Sequence, residues 1–343
     1  EQKDVENILR LREVLSTLPP FCRDYFRAID TTTTTKTRIS YAYDIRIFFQ
    51  FLLDENPAFK DYKMTDFTVD VLDQIKALDL EEYQEYLKVY QAGDKTETNG
   101  ERGLKRKISA LRSFYAYYYR REMIETNPTV LIDVPKIHDK SIIRLDTDEV
   151  ALLLDYIEHC GDQLTGQKRV YYEKNKERDL AIVTLLLGTG IRVSECVGLD
   201  IEDVDFKNNG IKVTRKGGNE MVVYFGPEVE KALKRYLEVR ENIIPLEGHE
   251  HALFYSAQRR RIGVQAIENL VKKYSQQITT TKKITPHKLR STYGTALYQE
   301  TGDIYLVADV LGHKDVNTTK KHYAAIDDAR RRQAAKAVKL RED

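Results

Sequence analysis

Residues 285–323 read TPHKLRSTYGTALYQETGDIYLVADVLGHKDVNTTKKHY. Apolar residues and groups suited to a phosphate recur in this stretch at helical spacing. His287 and Arg290 are three apart, so on a helix they share a face. Leu306, Val307, Val310 and Leu311 form an apolar stripe that ends at Gly312-His313, a helix stop followed by an exposed imidazole. Beyond the polar run 317–321 stands Tyr323. A cation, two imidazoles and a phenol gathered in one segment imply phosphoryl transfer to a tyrosine oxygen.

Upstream, LAIVTLLL at 180–187 reads as a helix buried on all sides, running into Gly188-Thr189-Gly190-Ile191-Arg192. An arginine placed there is kept close to the core, and burying its charge is costly unless a partner or a ligand completes it. Glu195, three residues on, is placed to orient it. Arg192 is therefore either half of a structural pair or a ligand-binding cation. Residues 204–224 alternate around Lys216-Gly217-Gly218-Asn219, which predicts a hairpin or a three-stranded sheet. Lys216 at its turn is either solvated or, if the hairpin reaches a reacting centre, a proton donor that arginine could not replace. Helices are expected at 193–199, 227–240 and 264–274, with a short strand at 253–255 and a surface loop over the polar segment 162–176.

The first half is helical by pattern: 1–18 up to Pro19-Pro20, then 21–29, 38–53, 69–78, 80–90 and 104–122. The threonine run 31–35 suits a cap, 93–103 reads as a polar loop, and Asn127-Pro128 ends the last helix. An extended linker is expected at 134–145, after which Asp146 or Thr147 caps a new helix. At 343 residues two domains are the expectation, with residues 1–30 an arm or a clip.

The net charge of +1 is unevenly spread. Residues 60–97 hold ten carboxylates against five lysines, whereas 102–121 and 259–290 are basic. Such blocks are either solvated surface or a face that meets polyanion. Cys22, Cys160 and Cys196 are scattered, which points to reduced thiols in an intracellular protein. No apolar run is long enough to cross a bilayer and no signal pattern opens the chain. The first residue is Glu1, so further residues upstream are expected. His-x-x-Arg lacks a second ligand and no acidic or cysteine cluster has usable spacing, so no metal is expected.

Three blocks together resemble the tyrosine recombinases, or phage-type integrases: TGIRVSECVGLDIEDVD at 189–205, TRKGG at 214–218, and the opening stretch. Upstream, 41–53 and the segment ending at Asn127-Pro128 resemble the family's core-binding domain, so the likeness covers roughly 31–330. It implies a mainly α fold, with a helical core-binding domain and a mixed α/β catalytic domain carrying a small antiparallel sheet, closing as a C-shaped clamp on DNA. The expected divisions are a helical extension at 1–30, a helical (SAM-like) DNA-binding domain at 31–133, a linker at 134–145, a catalytic domain at 146–327, and a tail helix at 328–343 that docks on a neighbouring protomer.

By the same resemblance, Arg192 and Arg290 grip the non-bridging oxygens of the scissile phosphate and Glu195 supports the first of them. Lys216 protonates the leaving 5′-oxygen, His313 hydrogen-bonds the phosphate, His287 is the first histidine of its block, and Tyr323 is the nucleophile. Ser291 and Ala325 stand where the family often has histidine. Lys105, Arg106 and Lys107, with Arg259, Arg260 and Arg261, are the cations expected on DNA. No cofactor is implied. The implied partners are double-stranded DNA with inverted-repeat core sites, three further copies in a homo-tetramer, and an accessory DNA-bending or directionality factor. A nucleoid-associated cytoplasmic enzyme without membrane contact is expected. The extension and the 162–176 segment favour a mobile-element integrase working through a 3′-phosphotyrosine and a Holliday junction. The alternatives are a recombinase resolving chromosome or plasmid dimers, a type IB-like topoisomerase activity of the same site, and a catalytically silent DNA-binding regulator.

Overall fold

The computed structural model describes residues 2–136, 142–215, 218–313, 315–317 and 319. The chain divides into two compact units, Glu1–Asp139 and Lys140–Asp343. It is mainly helical, with one small antiparallel sheet in each unit among the described residues. No helix among the described residues is long and apolar enough to cross a membrane.

The first unit is built on α3 (Thr35–Glu55) and α6 (Glu101–Arg120). Thr34 caps α3 by accepting from the Thr37 backbone N–H, the role expected of the threonine run. Phe48 and Phe49 of α3 meet Phe114, Tyr115 and Tyr118 of α6 in a core of edge-on aromatic contacts. The first helices belong to this same core. α1 (Gln2–Ser16) packs on α3 through Leu11 and Val14, and α2 (Cys22–Ala28) buries Tyr25 and Phe26 against α6. Tyr118 donates to the Phe21 carbonyl at 2.9 Å, and Tyr25 donates to Ser113 at 2.8 Å. Of the helix expected at 69–78 only one turn forms, α4 (Val71–Gln74), before α5 (Ala77–Tyr86). The polar loop expected at 93–103 is instead a hairpin, β1 (Val89–Ala92) with β2 (Lys95–Thr98), turning at Gly93 with φ 61°. Its residues are largely exposed, so no apolar alternation marked it.

A buried ion cluster ties α3 to α6. The Asp44 carboxylate, almost wholly enclosed, pairs with Arg106 and lies 4.0 Å from the Lys107 ammonium, which donates to Asn99 at 2.8 Å. Burial pushes the Asp44 carboxyl up to about 6, against the pull of both cations. A carboxyl raised above its ordinary value of about 4 favours folding in its protonated form. Its contribution is therefore present at pH 4 and lost as the pH rises through 6. The unfolding free energy of the wild type, measured against Asp44→Asn by denaturant titration, is expected to improve by about 2 kcal/mol on going from pH 7 to pH 4. A difference that stays flat with pH would remove Asp44 as the titrating group.

The second unit is organised on α8 (Gly166–Thr189), whose 180–186 segment is buried throughout. Around it pack α7 (Thr147–His159), α10 (Pro227–Arg240), α11 (Val264–Ile278) and α12 (Pro286–Thr301). The surface loop expected over 162–176 is largely the first turns of α8. They turn Tyr172 and Asn175 inward, and Tyr172 donates to the Glu158 carbonyl of α7 at 2.6 Å. One ring and one amide buried among charged neighbours leave no apolar stripe to read. A short helix α9 (Val193–Gly198) leads to the sheet β3 (Val204–Asp205), β4 (Gly210–Thr214) and β5 (Glu220–Tyr224), antiparallel in that order. Ile211 pairs with Val223, and Ile211, Val213 and Val223 face the core. α13 (Ile304–Leu311) follows α12.

Candidate active site

The site is assembled on helix ends. α8 stops at Gly190, which takes φ 63°. A Cβ there would lie 2.3 Å from the Tyr293 ring and 3.0 Å from Leu311, so only glycine lets α8, α12 and α13 meet this closely. Two residues later Arg192 opens α9. Its backbone N–H donates to Glu195 Oε2 at 2.8 Å and its guanidinium to Glu195 Oε1 at 2.7 Å. One buried carboxylate thus fixes both the main chain and the side chain of Arg192. The third contact is the Gly312 carbonyl, 3.3 Å away. The Arg192 side chain remains 36% exposed.

Arg290 enters from α12 and is buried, donating to the Gly190 carbonyl at 2.5 Å and to the Leu311 carbonyl. His287 stands one turn earlier on α12, exposed, on the face it shares with Arg290. α13 ends in a Schellman motif at Gly312, φ 62°: Gly312 N–H donates to the Asp309 carbonyl at 2.8 Å and His313 N–H to Ala308 at 2.9 Å. His313 therefore leaves the helix at a fixed point, and its Nδ1 lies 2.7 Å from the hydroxyl of buried Thr319.

A third arginine, which the sequence did not single out, completes the arrangement. Arg215, after β4, donates to the Val310 carbonyl at 2.8 Å and to Asp309 at 3.3 Å. The Asp309, Val310, Leu311 and Gly312 carbonyls thus receive Arg215 twice, then Arg290, then Arg192. The negative end of the α13 dipole offsets the repulsion among three cations, and Glu195 adds a formal negative charge. Burial nevertheless lowers the Arg215 pKa, with Arg192 nearby acting in the same sense.

The expected residues Arg192, Glu195, Arg290 and His313 are thereby brought to one helix end, with His287 one turn from Arg290. Lys216 and Tyr323, like the tail 328–343, lie outside the described residues. The six cations expected on DNA divide. Lys105, Arg259 and Arg260 are exposed. Arg106 is also exposed but is held by Asp44, and Lys107 is buried. Arg261 donates to the Val197 and Leu199 carbonyls at 3.1 and 2.8 Å and pairs with Asp200, fastening the end of α9. No cluster of three or more His, Cys, Asp or Glu side chains among the described residues could hold a metal ion. Guanidiniums backed by carbonyls and a carboxylate have their geometry set before a ligand arrives. Such an array suits an oxyanion whose charge grows during reaction.

The phage integrase family model matches residues 144–330, the segment that carries Arg192, Glu195, Arg215, His287, Arg290 and His313. The chain belongs to the phage integrase family. It is a tyrosine-type site-specific DNA recombinase. Tyrosine recombinase XerS of Lactococcus lactis subsp. cremoris (strain MG1363) is 32% identical, over 94% of this chain and 96% of that one. Tyrosine recombinase XerC of Caldanaerobacter subterraneus subsp. tengcongensis is also 32% identical, over 92% of this chain and 86% of its own. Two solved integrase-family structures share the fold. XerH recombinase bound to palindromic difH substrate gives a TM-score of 0.64 at 22% identity, over 88% of this chain and 78% of that chain. The Tn1549 transposon integrase with transposon right end DNA gives 0.66 at 21%, over 92% and 99%.

Proposed function

We propose that this recombinase cuts and rejoins DNA at Tyr323, with Arg192 and Arg290 on the non-bridging oxygens of the scissile phosphate. In this reading the Tyr323 oxygen bonds to phosphorus as the bond to the 5′-oxygen breaks. The phenol gives up its proton to a basic group of the site, and Lys216 supplies one to the leaving oxygen. His313 and His287 donate to the phosphate oxygens, where the pentacoordinate transition state gathers charge. The phosphotyrosine conserves the bond energy, so a 5′-hydroxyl from a second duplex reverses the step and no nucleotide is consumed. What carries the reading is that Arg192 and Arg290 hold the last carbonyls of α13 and His313 emerges from that same helix end. Exposed Lys105, Arg259 and Arg260 would contribute phosphate contacts and salt-dependent affinity.

Among biological roles, chromosome-dimer resolution is favoured over integration of a mobile element. Relatives similar over most of their own length are named XerS and XerC. The two features that pointed to an integrase are weaker marks than they looked: residues 1–30 belong to the first unit's core, and 162–176 is largely the start of α8. Covalent complexes trapped in host cells with detergent, then sequenced at their DNA 3′ ends, test the choice. One chromosomal locus, unchanged when resident mobile elements are removed, is expected. Ends mapping to element boundaries would establish the integrase instead, and no covalent DNA at all would favour a silent regulator.

A further inference from the structure

Among the described cations of the site, Arg215 has no role in the reaction described above, and its surroundings are unusually specific. It follows β4 directly, so its backbone is fixed by the sheet: its N–H donates to the Asn219 carbonyl at 2.7 Å across the turn. Its side chain crosses to α13 and holds two successive carbonyls, those of Asp309 and Val310. Its Nε is buried and has no hydrogen-bond partner among the described residues, a cost that would be avoided if the side chain pointed to water. The opposing surface is shaped to receive it. A Cβ on Gly312 would fall 1.8 Å from Arg215 Nη1 and 2.3 Å from its Cζ. Gly312 therefore serves twice, closing α13 in the left-handed conformation and leaving room for the guanidinium.

The carbonyls next in line, Leu311 and Gly312, are the ones that Arg290 and Arg192 use. A helix end of this kind is free to fray unless its carbonyls are engaged. We propose that Arg215 is a positioning residue: it fastens the β4–β5 hairpin to the end of α13 and so sets where Arg192, Arg290 and His313 stand. It touches no reacting atom. Its effect is transmitted through the carbonyls of 309 and 310 to those of 311 and 312, and through Gly312 to the emergence of His313. It also lies near enough to Arg192 for the two guanidiniums to repel each other. The inference rests on the strand-cleavage reading proposed above.

The test uses the full chain and a nicked duplex carrying the sequence recovered from trapped wild-type complexes. Wild-type cleavage of that duplex checks the parent reading by itself, so a silent wild type and a normal Arg215 variant are different failures. Arg215→Ala is expected to slow covalent adduct formation at saturating DNA about thirtyfold, since displacement by an ångström at a reacting phosphate costs up to about a hundredfold. DNA affinity should stay within about threefold and its dependence on salt should not change, because Arg215 is occupied by the protein rather than by phosphate. Arg215→Lys, which can hold one carbonyl but not two, should recover part of the rate. Gly312→Ala should slow cleavage in the wild-type background and slow it much less beside Arg215→Ala, where the obstructed guanidinium is gone. The proposal is overturned by a saturated rate within about threefold of wild type for Arg215→Ala. It is equally overturned by a loss of affinity with a shallower salt dependence, which would make Arg215 a DNA contact, or by full additivity with Gly312→Ala.

Discussion

Arg290→Lys is expected to slow strand cleavage about a thousandfold and to destabilise the second unit as well, whereas Arg192→Lys is expected to lose the rate with little stability. The shared part follows from geometry: an ammonium is a point charge and cannot present the planar fork that two phosphate oxygens require. Removing a prearranged oxyanion donor costs about a hundredfold to a thousandfold, or some 3 to 4 kcal/mol of transition-state stabilisation. The difference follows from burial. Arg290 is 5% exposed and holds the Gly190 and Leu311 carbonyls at once. A lysine reaches one of them at most, leaving a buried carbonyl unpaired at about 2 kcal/mol, or roughly 5 °C in the melting temperature of a unit this size. Arg192 is 36% exposed and at the edge of the core, so water can replace what its guanidinium gave up. Single-turnover adduct formation and thermal melting of the two variants decide the matter. Equal melting losses would mean that the two arginines are equivalent core pairs, and wild-type rates would take both out of the chemistry.

The long helices of both units were legible because each buries a periodic face: Phe48, Phe49 and Leu52 on α3, Leu104, Ile108, Leu111 and Phe114 on α6. So were Arg192, Arg290 and His313, since each stands beside a cap or stop whose residue type announces it: Gly190, Thr285-Pro286, Gly312. The β1–β2 hairpin was not legible, because strands exposed on both faces have no reason to alternate. Arg215 was hidden for a different reason. Its partners are backbone carbonyls 94 and 95 positions away, and a carbonyl has no residue type to betray it. Charge counting failed at α6 in an instructive way. Lys105 and Lys107 are two residues apart, which on a helix turns them to different faces; one is in solvent and the other lies under Asn99 beside Asp44. A basic block in a sequence therefore measures how many cations there are, not how many can meet a phosphate.

The largest expected effect of all is on Tyr323→Phe. On a duplex nicked close to the cleavage point, the short 5′ fragment diffuses away after cleavage and the wild type accumulates a covalent protein–DNA adduct. The phenylalanine variant is expected to give none at any time, while binding the same duplex within about twofold. Loss is total because the missing atom is the one that would bond to phosphorus, and no donor in the site can substitute for a nucleophile. A free phenol titrates near 10 and is a poor nucleophile at neutral pH. In the proposed reaction guanidiniums 192 and 290 would act twice, favouring the tyrosinate before attack and the added negative charge on phosphorus during it. Because those fixed cations neutralise the phosphate, wild-type adduct formation is expected to be unchanged in excess EDTA. Adduct from Tyr323→Phe would assign the attacking oxygen elsewhere. Wild-type adduct abolished by EDTA would mean that the arginines on the end of α13 do not carry the transition-state charge, and their convergence would need another explanation.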